Sequence, residues 1–195
     1  MKKFFLAAVA ISALFSSCET TDEKILNETN YESLNIQKTK GLNNSDYEIY
    51  RNVLEHFPYN NDQNYIENVV RFEKHVNYTL EDNTQTNIYE SINMDRLANL
   101  VENDDIINEL HYSAEFKELF YNILYEGSVV EFSLRNEKEH NLISTLFKIH
   151  NDNNDNGNDD KLNKNRTIAF AYGAQYSFKQ AVLYAGAIEI KTKIN

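Results

Sequence analysis

The sequence predicts a mainly α-helical fold, a compact bundle-like single domain, and three observations support this prediction. The 195 residues include one proline and five glycines, too few for the tight turns that β-hairpins require. Apolar residues recur at intervals of three and four, which is the spacing of one helix face. Ser45 and Ser177 each begin a capping box, "SDYE" and "SFKQ", a pattern found at helix N-termini. We therefore expect several amphipathic helices that share one core.

The first two helices are predicted from their start and stop signals. Ser45 begins the first, and Pro58 ends it because the residue before a proline avoids the helical conformation. The second is predicted over residues 64–80. Their buried faces are expected to contain Tyr47, Tyr50, Val53, Leu54 and Phe57 in the first helix, and Ile66, Val69, Val70, Phe72 and Val76 in the second.

Two further helices are predicted in the centre of the chain. The third covers residues 88–101, and the fourth begins at Asp104 or Asp105 and continues to Gly127, a residue that commonly ends helices. On the fourth helix, His111 and Glu115 are expected to form a weakly stabilising i,i+4 pair. The buried faces are expected to contain Ile92, Leu97, Leu100 and Val101, then Ile106, Ile107, Leu110, Phe116, Leu119, Phe120, Ile123 and Leu124.

The last third of the chain leaves two alternatives open. Residues 128–134, "SVVEFSL", alternate like a short strand but also suit the start of a helix that continues to His150. Residues 166–190 predict a helical hairpin, with two strands as the alternative because Ile168, Phe170 and Tyr172 alternate. In the hairpin, the backbones are expected to approach closely at Ala169, Gly173, Ala181, Ala185 and Gly186.

The N-terminus has the form of an export signal. "MKK" is a basic start, an apolar run with one serine covers residues 4–15, and two serines precede Cys18, the only cysteine. "LFSSC" resembles the lipobox of bacterial lipoproteins, although Phe15 stands where that family usually has an aliphatic residue. The resemblance implies cleavage before Cys18 and acylation, such as palmitoylation, of this residue. A plain signal peptide is the alternative.

This resemblance divides the chain into a signal peptide (1–17), a lipidated flexible tether (18–44) and a helical domain (45–195). The tether is polar and lacks the spacing of a buried face. Two or three acyl chains would anchor the protein stably, since one chain binds membranes only marginally. In some Gram-negative lipoproteins, acidic residues after the lipid imply export to the outer membrane or cell surface, and here they are Glu19, Asp22 and Glu23.

The charge of the chain limits its partners. Thirty acidic and 19 basic residues give a formal net charge of −11 at pH 7, and loss of Lys2 and Lys3 with the signal peptide makes it −13. So acidic a protein is expected not to bind nucleic acid, nor anionic lipid through its surface. Membrane contact is therefore assigned to the lipid on Cys18. Because the chain has no second cysteine, it cannot form an internal disulfide, and its fold must be stabilised by its core. We expect the protein to be a monomer.

The sequence offers no recognised catalytic motif. It lacks "GxSxG", "HExxH", a Walker loop and a dinucleotide fingerprint, and lipidation of Cys18 would leave no thiol. Glu137 and His140 have the "ExxH" spacing of di-iron bundles, but the second motif of such a site is absent, which favours a solvated charged face. His56 is expected at a helix end. We therefore predict that the protein is not an enzyme.

Residues 151–161, "NDNNDNGNDDK", form a polar connection between two predicted helices. They resemble the first half of the calcium loop in EF-hand and dockerin-like proteins, which implies ligands at Asp152, Asn154, Asn156, Asn158 and Asp160, with Gly157 at the sharp turn. The second half departs: Asn163 replaces the closing bidentate glutamate, and Asp159 replaces an apolar residue. The resemblance thus implies weak calcium binding, about 10⁻⁴ to 10⁻³ M, and no other cofactor. A hydrated connection without metal is the alternative.

Thirteen tyrosines and no tryptophan allow two interpretations. Tyrosine supplies rigid amphipathic contact area and suits an exposed surface that binds a protein or a glycan. Alternatively, tyrosine replaces other large residues in the core, which the apolar helical positions of Tyr47, Tyr121 and Tyr184 favour.

Two functions follow from these features. The first is a non-enzymatic binding module, lipid-anchored in the envelope of a Gram-negative bacterium, whose acidic helical surface meets a basic or polar protein partner. The alternative is a calcium-responsive structural protein, in which the loop at 152–163 fixes the C-terminal hairpin.

Overall fold

Eight α-helices make up the part of the chain that the structure describes, and no strand occurs in that part. The structure is a computed structural model that describes residues 45–81, 88–103, 105–129, 134–152 and 160–193. The helices are α1 (Asp46–Glu55), α2 (Tyr65–Thr79), α3 (Met94–Glu102), α4 (Ile106–Glu109), α5 (Ala114–Glu126), α6 (Glu137–His150), α7 (Asp160–Ala174) and α8 (Phe178–Thr192). The prediction of a mainly α-helical fold is confirmed. The predicted signal peptide (1–17), Cys18 and the predicted tether (18–44) lie outside the described residues.

Helix α8 lies at the centre of the fold. Nine of its 15 residues are buried, and they occur on all sides of the helix between Ala181 and Ile190. It packs along α7, and α2 and α1 also contact it; α6 then covers α7, and α5 covers α6. Such an arrangement is expected for α8, because a helix that is apolar all round must be surrounded by other elements.

The C-terminal segment is the closely packed helical hairpin that its small residues predict. A Cβ atom at Gly173 would overlap the Gln180 backbone in α8, and one at Gly186 would overlap the Phe72 ring in α2. Only glycine therefore fits these two positions without a shift of their neighbours. The strand alternative for this segment is wrong. Of residues 128–134, the structure describes only the first two and the last, and none of these three is in a strand.

Helix α3 begins at Met94, six residues later than predicted, because side chains of α2 hold the preceding segment in a non-helical form. The Asn77 side chain accepts the Glu90 N–H (2.9 Å) and donates to the Glu90 carbonyl (2.7 Å). The Glu73 carboxylate accepts the Ile92 N–H at 2.6 Å. These bonds replace the backbone partners that a helix would have provided.

The single helix predicted before Gly127 is in fact two helices, α4 and α5. Ser113 lies between them and caps α5, since its hydroxyl accepts the Phe116 N–H at 3.2 Å. The N–H and hydroxyl of Ser113 donate to the Glu139 carboxylate of α6, at 2.9 and 2.6 Å. Helix α5 ends at Gly127 as predicted, with this glycine in the left-handed conformation (φ 62°). Glu139, which lies 26 residues after Ser113 in the sequence, thus helps to set where α5 begins.

Candidate functional site

Asp152 is the only predicted calcium ligand whose side chain the structure describes. Its carboxylate forms an ion pair with Arg51 of α1, with Oδ2 at 3.2 Å from Nη1 but without hydrogen-bond geometry. The backbone of Asp160 begins α7. The remaining positions lie outside the described residues, and they are Asn154, Asn156, Gly157, Asn158 and Asp159.

The last position of the proposed calcium loop is also bound to an arginine. Asn163 accepts a hydrogen bond from Arg166 Nη2 through its side-chain oxygen, at 3.0 Å. Arg166 is 1% exposed and also donates to the Glu189 carboxylate (2.6 Å) and to the Ile149 carbonyl (2.8 Å). Both described ends of the loop therefore contact guanidinium groups at the oxygens that a calcium ion would need. Among the described residues, no group of three or more His, Cys, Asp or Glu side chains could hold a metal ion.

The histidines occupy different environments. His56 caps the C-terminus of α1, as predicted, and its Nδ1 lies 2.8 Å from a carbonyl of that helix. Glu137 and His140 lie in the first turn of α6, where Glu137 is exposed. His75, which no sequence motif singled out, is buried in α2 with Nε2 at 3.1 Å from the Val53 carbonyl, and burial lowers its pKa.

His111 is not part of the helix predicted for it. It lies in the break between α4 and α5, and its N–H donates to the side-chain oxygen of Gln175 at 2.7 Å. The predicted i,i+4 pair with Glu115 on one helix is therefore wrong, because α5 begins only at Ala114.

The tyrosines are divided between the core and the surface. Tyr184 is buried, and Tyr47 packs against the core, as predicted. Tyr121 was predicted in the core but is 52% exposed, and its ring stacks on that of Tyr125 with centroids 4.3 Å apart. Spacing alone misplaced Tyr121, because two tyrosines four residues apart also form a stable stacked pair on the outer face of a helix.

Two hollows next to the α7–α8 turn form the candidate binding site. Tyr176 and Ser177 line both of them, so the hollows are adjacent, and we call them together the tyrosine groove. The first hollow, ≈ 480 Å³, is lined by Ile88, Glu90, Ser91, Tyr172, Tyr176, Ser177, Gln180 and Tyr184. The second, ≈ 590 Å³, is lined among others by Asp46, His111, Tyr112, Lys138, Glu139, Leu142, Phe170 and Gln175. Both hollows are open to solvent, and the first is the shallower of the two.

Three tyrosine rings form one side of the first hollow. Tyr172 packs edge to face against Tyr176 (centroids 5.4 Å apart, 63°) and against Tyr184 (5.0 Å, 77°). The Arg96 guanidinium lies 4.8 Å from the centroid of the Tyr172 ring, a cation–π geometry. Tyr176 is 65% exposed, so its ring is available for contact. The i,i+4 spacing of Tyr172 and Tyr176 was a usable signal in the sequence, but their contact with Arg96 was not.

Side chains at the start of α8 hold another side of the first hollow in place. The Ser177 hydroxyl donates to the Glu90 carboxylate at 2.7 Å, and Gln180 donates to the Ser91 carbonyl at 3.3 Å. Lys179 donates to the Ile88 carbonyl at 3.4 Å, while the Ile88 side chain remains exposed. This side of the hollow is therefore fixed in place without a ligand.

The tyrosine groove is acidic. Asp46, Glu90 and Glu139 line it, whereas Lys138 is the only lysine or arginine among its described lining residues. Asp46 is exposed at the start of α1, and partial desolvation raises the pKa of its carboxyl group because the charged form is less well hydrated there. A positive group entering the groove would offset this cost.

No family model, curated protein or solved structure matches this chain. None of the described helices is both long and apolar enough to cross a membrane.

Proposed function

We propose that this protein is a non-enzymatic binding module, held in the cell envelope of a Gram-negative bacterium by a lipid on Cys18. In this proposal residues 18–44 are the tether, and the helical domain binds a protein partner with the tyrosine groove. The observation that carries the proposal is the position of the exposed apolar side chains. Ile88, Tyr89 and Tyr176 are all largely exposed, and they lie at or next to the first hollow of the groove.

The composition of the groove supports binding to a protein. Tyrosine and arginine are enriched in the central contacts of protein interfaces, and here three tyrosines and Arg96 form one packed cluster. The carboxylates of Glu90 and Glu139 are both hydrogen-bonded to serines, which gives them a structural role. A rigid aromatic surface loses little conformational entropy on binding.

The lipid anchor is tested by the Cys18→Ser variant, expressed in a Gram-negative host. We expect the wild-type protein to partition into detergent with a lipid-modified Cys18 at its N-terminus, and the variant to lose both properties. Ser12→Ala, within the apolar run, is the control and should be processed normally. A mature wild-type chain that begins at any other residue contradicts the lipid anchor.

The groove is tested by a photo-activated cross-linking amino acid placed at residue 176 and, in a control protein, at residue 121. Tyr121 is also about half exposed but does not line the groove. We expect a discrete cross-linked complex in cells from residue 176 and none from residue 121. The groove is not the binding surface if residue 176 gives no complex, or if both positions give the same complexes.

A further inference from the structure

We infer that the tyrosine groove binds an extended, basic peptide segment of the partner protein. The inference rests on the proposed binding function and adds the chemical class of the ligand. It follows from the shape of the groove, the charge of its lining and the exposed tyrosine ring.

The shape of the groove suits a chain better than a compact molecule. Its two hollows are adjacent, because Tyr176 and Ser177 line both. An extended peptide advances about 3.3 Å per residue, so side chains from one short segment can enter neighbouring hollows. A single compact ligand would occupy one hollow and leave the other empty.

The charge of the lining favours a cationic ligand. Three carboxylates and Lys138 line the groove, Lys179 lies beside the first hollow, and the nearby Arg96 is paired with Glu109. The whole chain carries a formal charge of −11. Among the described residues, no ion pair or hydrogen bond is seen to the Asp46 carboxylate, whereas Glu90 and Glu139 each accept hydrogen bonds from a serine. Asp46 is therefore the carboxylate most able to pair with a basic side chain of the ligand.

The tyrosines provide a second contact for a basic side chain. The Tyr172 ring holds the Arg96 guanidinium 4.8 Å from its centroid, and the charge of Arg96 is paired with the Glu109 carboxylate at 3.2 Å. The neighbouring Tyr176 ring is 65% exposed and can accept a lysine or arginine of the ligand in the same way. The acidic lining and this ring together favour lysine and arginine over neutral side chains.

The test is calorimetric titration of the purified full chain with three probes. They are a blocked nonapeptide of alternating lysine and glycine, the same peptide with glutamate for lysine, and the neutral sugar maltohexaose. We expect binding of the lysine peptide alone. Tyr176→Ala and Asp46→Asn should each weaken it at least about threefold, the low end of one lost cation contact. Tyr121→Ala and Asp62→Asn, which change residues outside the groove, should leave it within about twofold.

Three results would overturn the inference. They are no binding of the lysine peptide at millimolar concentration, equal loss in the groove and control variants, and binding of the sugar without the peptide. Circular dichroism of each variant checks that the fold is kept, and the conservative Asp46→Asn change retains the side-chain shape at the start of α1. The cross-linking result from residue 176 is independent of the probe. A complex there without peptide binding therefore rejects the basic ligand and leaves the binding function standing.

Discussion

The C-terminal hairpin and the helices around it are packed in different ways. Helix α8 is buried on nearly all sides and meets its neighbours through alanine and glycine, so that backbones and rings lie in direct contact. Helices α1 and α3 instead bury one face, with Leu54 and Leu100 among the core side chains. The comparison shows that an outer helix can adjust to a change in side-chain size, whereas the hairpin leaves no space for one.

The hairpin and the outer helices also differ in how deeply their ion pairs are buried. In the hairpin, Arg166 is buried against Glu189, at 2.6 Å, with both side chains largely out of solvent. On the outer helices, Arg96 pairs with Glu109 at 3.2 Å, and both side chains are partly exposed. Removing one partner of a buried pair leaves an uncompensated charge, while an exposed partner is simply hydrated.

The largest effect is expected from Arg166→Ala. It removes the partner of Glu189 and the donor to the Ile149 carbonyl, which should lower the free energy of unfolding by about 3 to 5 kcal/mol. Arg96→Ala, at the exposed pair, should cost no more than about 1 kcal/mol. Urea unfolding followed by circular dichroism measures both. Similar losses for the two variants would show that the hairpin and the outer helices do not differ in this way.

A smaller loss is expected from alanine at the glycines of the hairpin. Gly173→Ala forces a methyl group against the Gln180 backbone, which should destabilise the fold by about 3 kcal/mol. Gly127→Ala is the control, because its Cβ would meet nothing and only the positive φ costs about 1 kcal/mol. The same unfolding experiment ranks the two variants. If Gly127→Ala is the more harmful change, close packing of the hairpin is not the limiting factor.

The next prediction concerns pH. Because burial lowers the pKa of His75 in the folded state below its ordinary value of 6.5, the unfolded chain binds this proton more readily. The contribution of neutral His75 to stability is therefore complete above pH 6.5 and is lost as the pH falls through the folded pKa. His75→Gln should reduce the loss of stability between pH 7.5 and 5, whereas His111→Gln, at an exposed position between α4 and α5, should not. Parallel pH dependence in all three proteins would contradict the prediction.

The smallest effect is expected from calcium. At 1 mM calcium, a site with a dissociation constant of about 1 mM would stabilise the protein by about 0.4 kcal/mol, or one to two degrees in the unfolding midpoint. Asp152 is paired with Arg51, so we expect a shift no larger than this, and Asp152→Ala should abolish any shift that occurs. Thermal unfolding with calcium or with a chelator tests it. A shift of many degrees would instead support the calcium-responsive alternative.

Local signals in the sequence determined most helix boundaries. Ser45 and Ser177 begin helices as their capping boxes predict, Asn64 begins the helix predicted over residues 64–80, and Gly127 ends one. In each of these caps the chemistry lies within a few residues of the boundary, as in the Asn64 side chain that accepts the Glu67 N–H at 3.0 Å. Such short-range bonds involve only residues that are close in sequence, so a sequence pattern is enough to predict them.

Tertiary structure decided the late start of α3, the break before α5, the exposure of Tyr121 and the tyrosine groove. Glu139 meets Ser113 across 26 positions of sequence, and Ser177 meets Glu90 across 87. Such contacts exist only once distant helices are packed together, and no local pattern records them. Periodicity shows that a residue lies on a particular helix face, but which face is buried depends on the neighbouring helices. The groove could therefore be found only in the folded molecule.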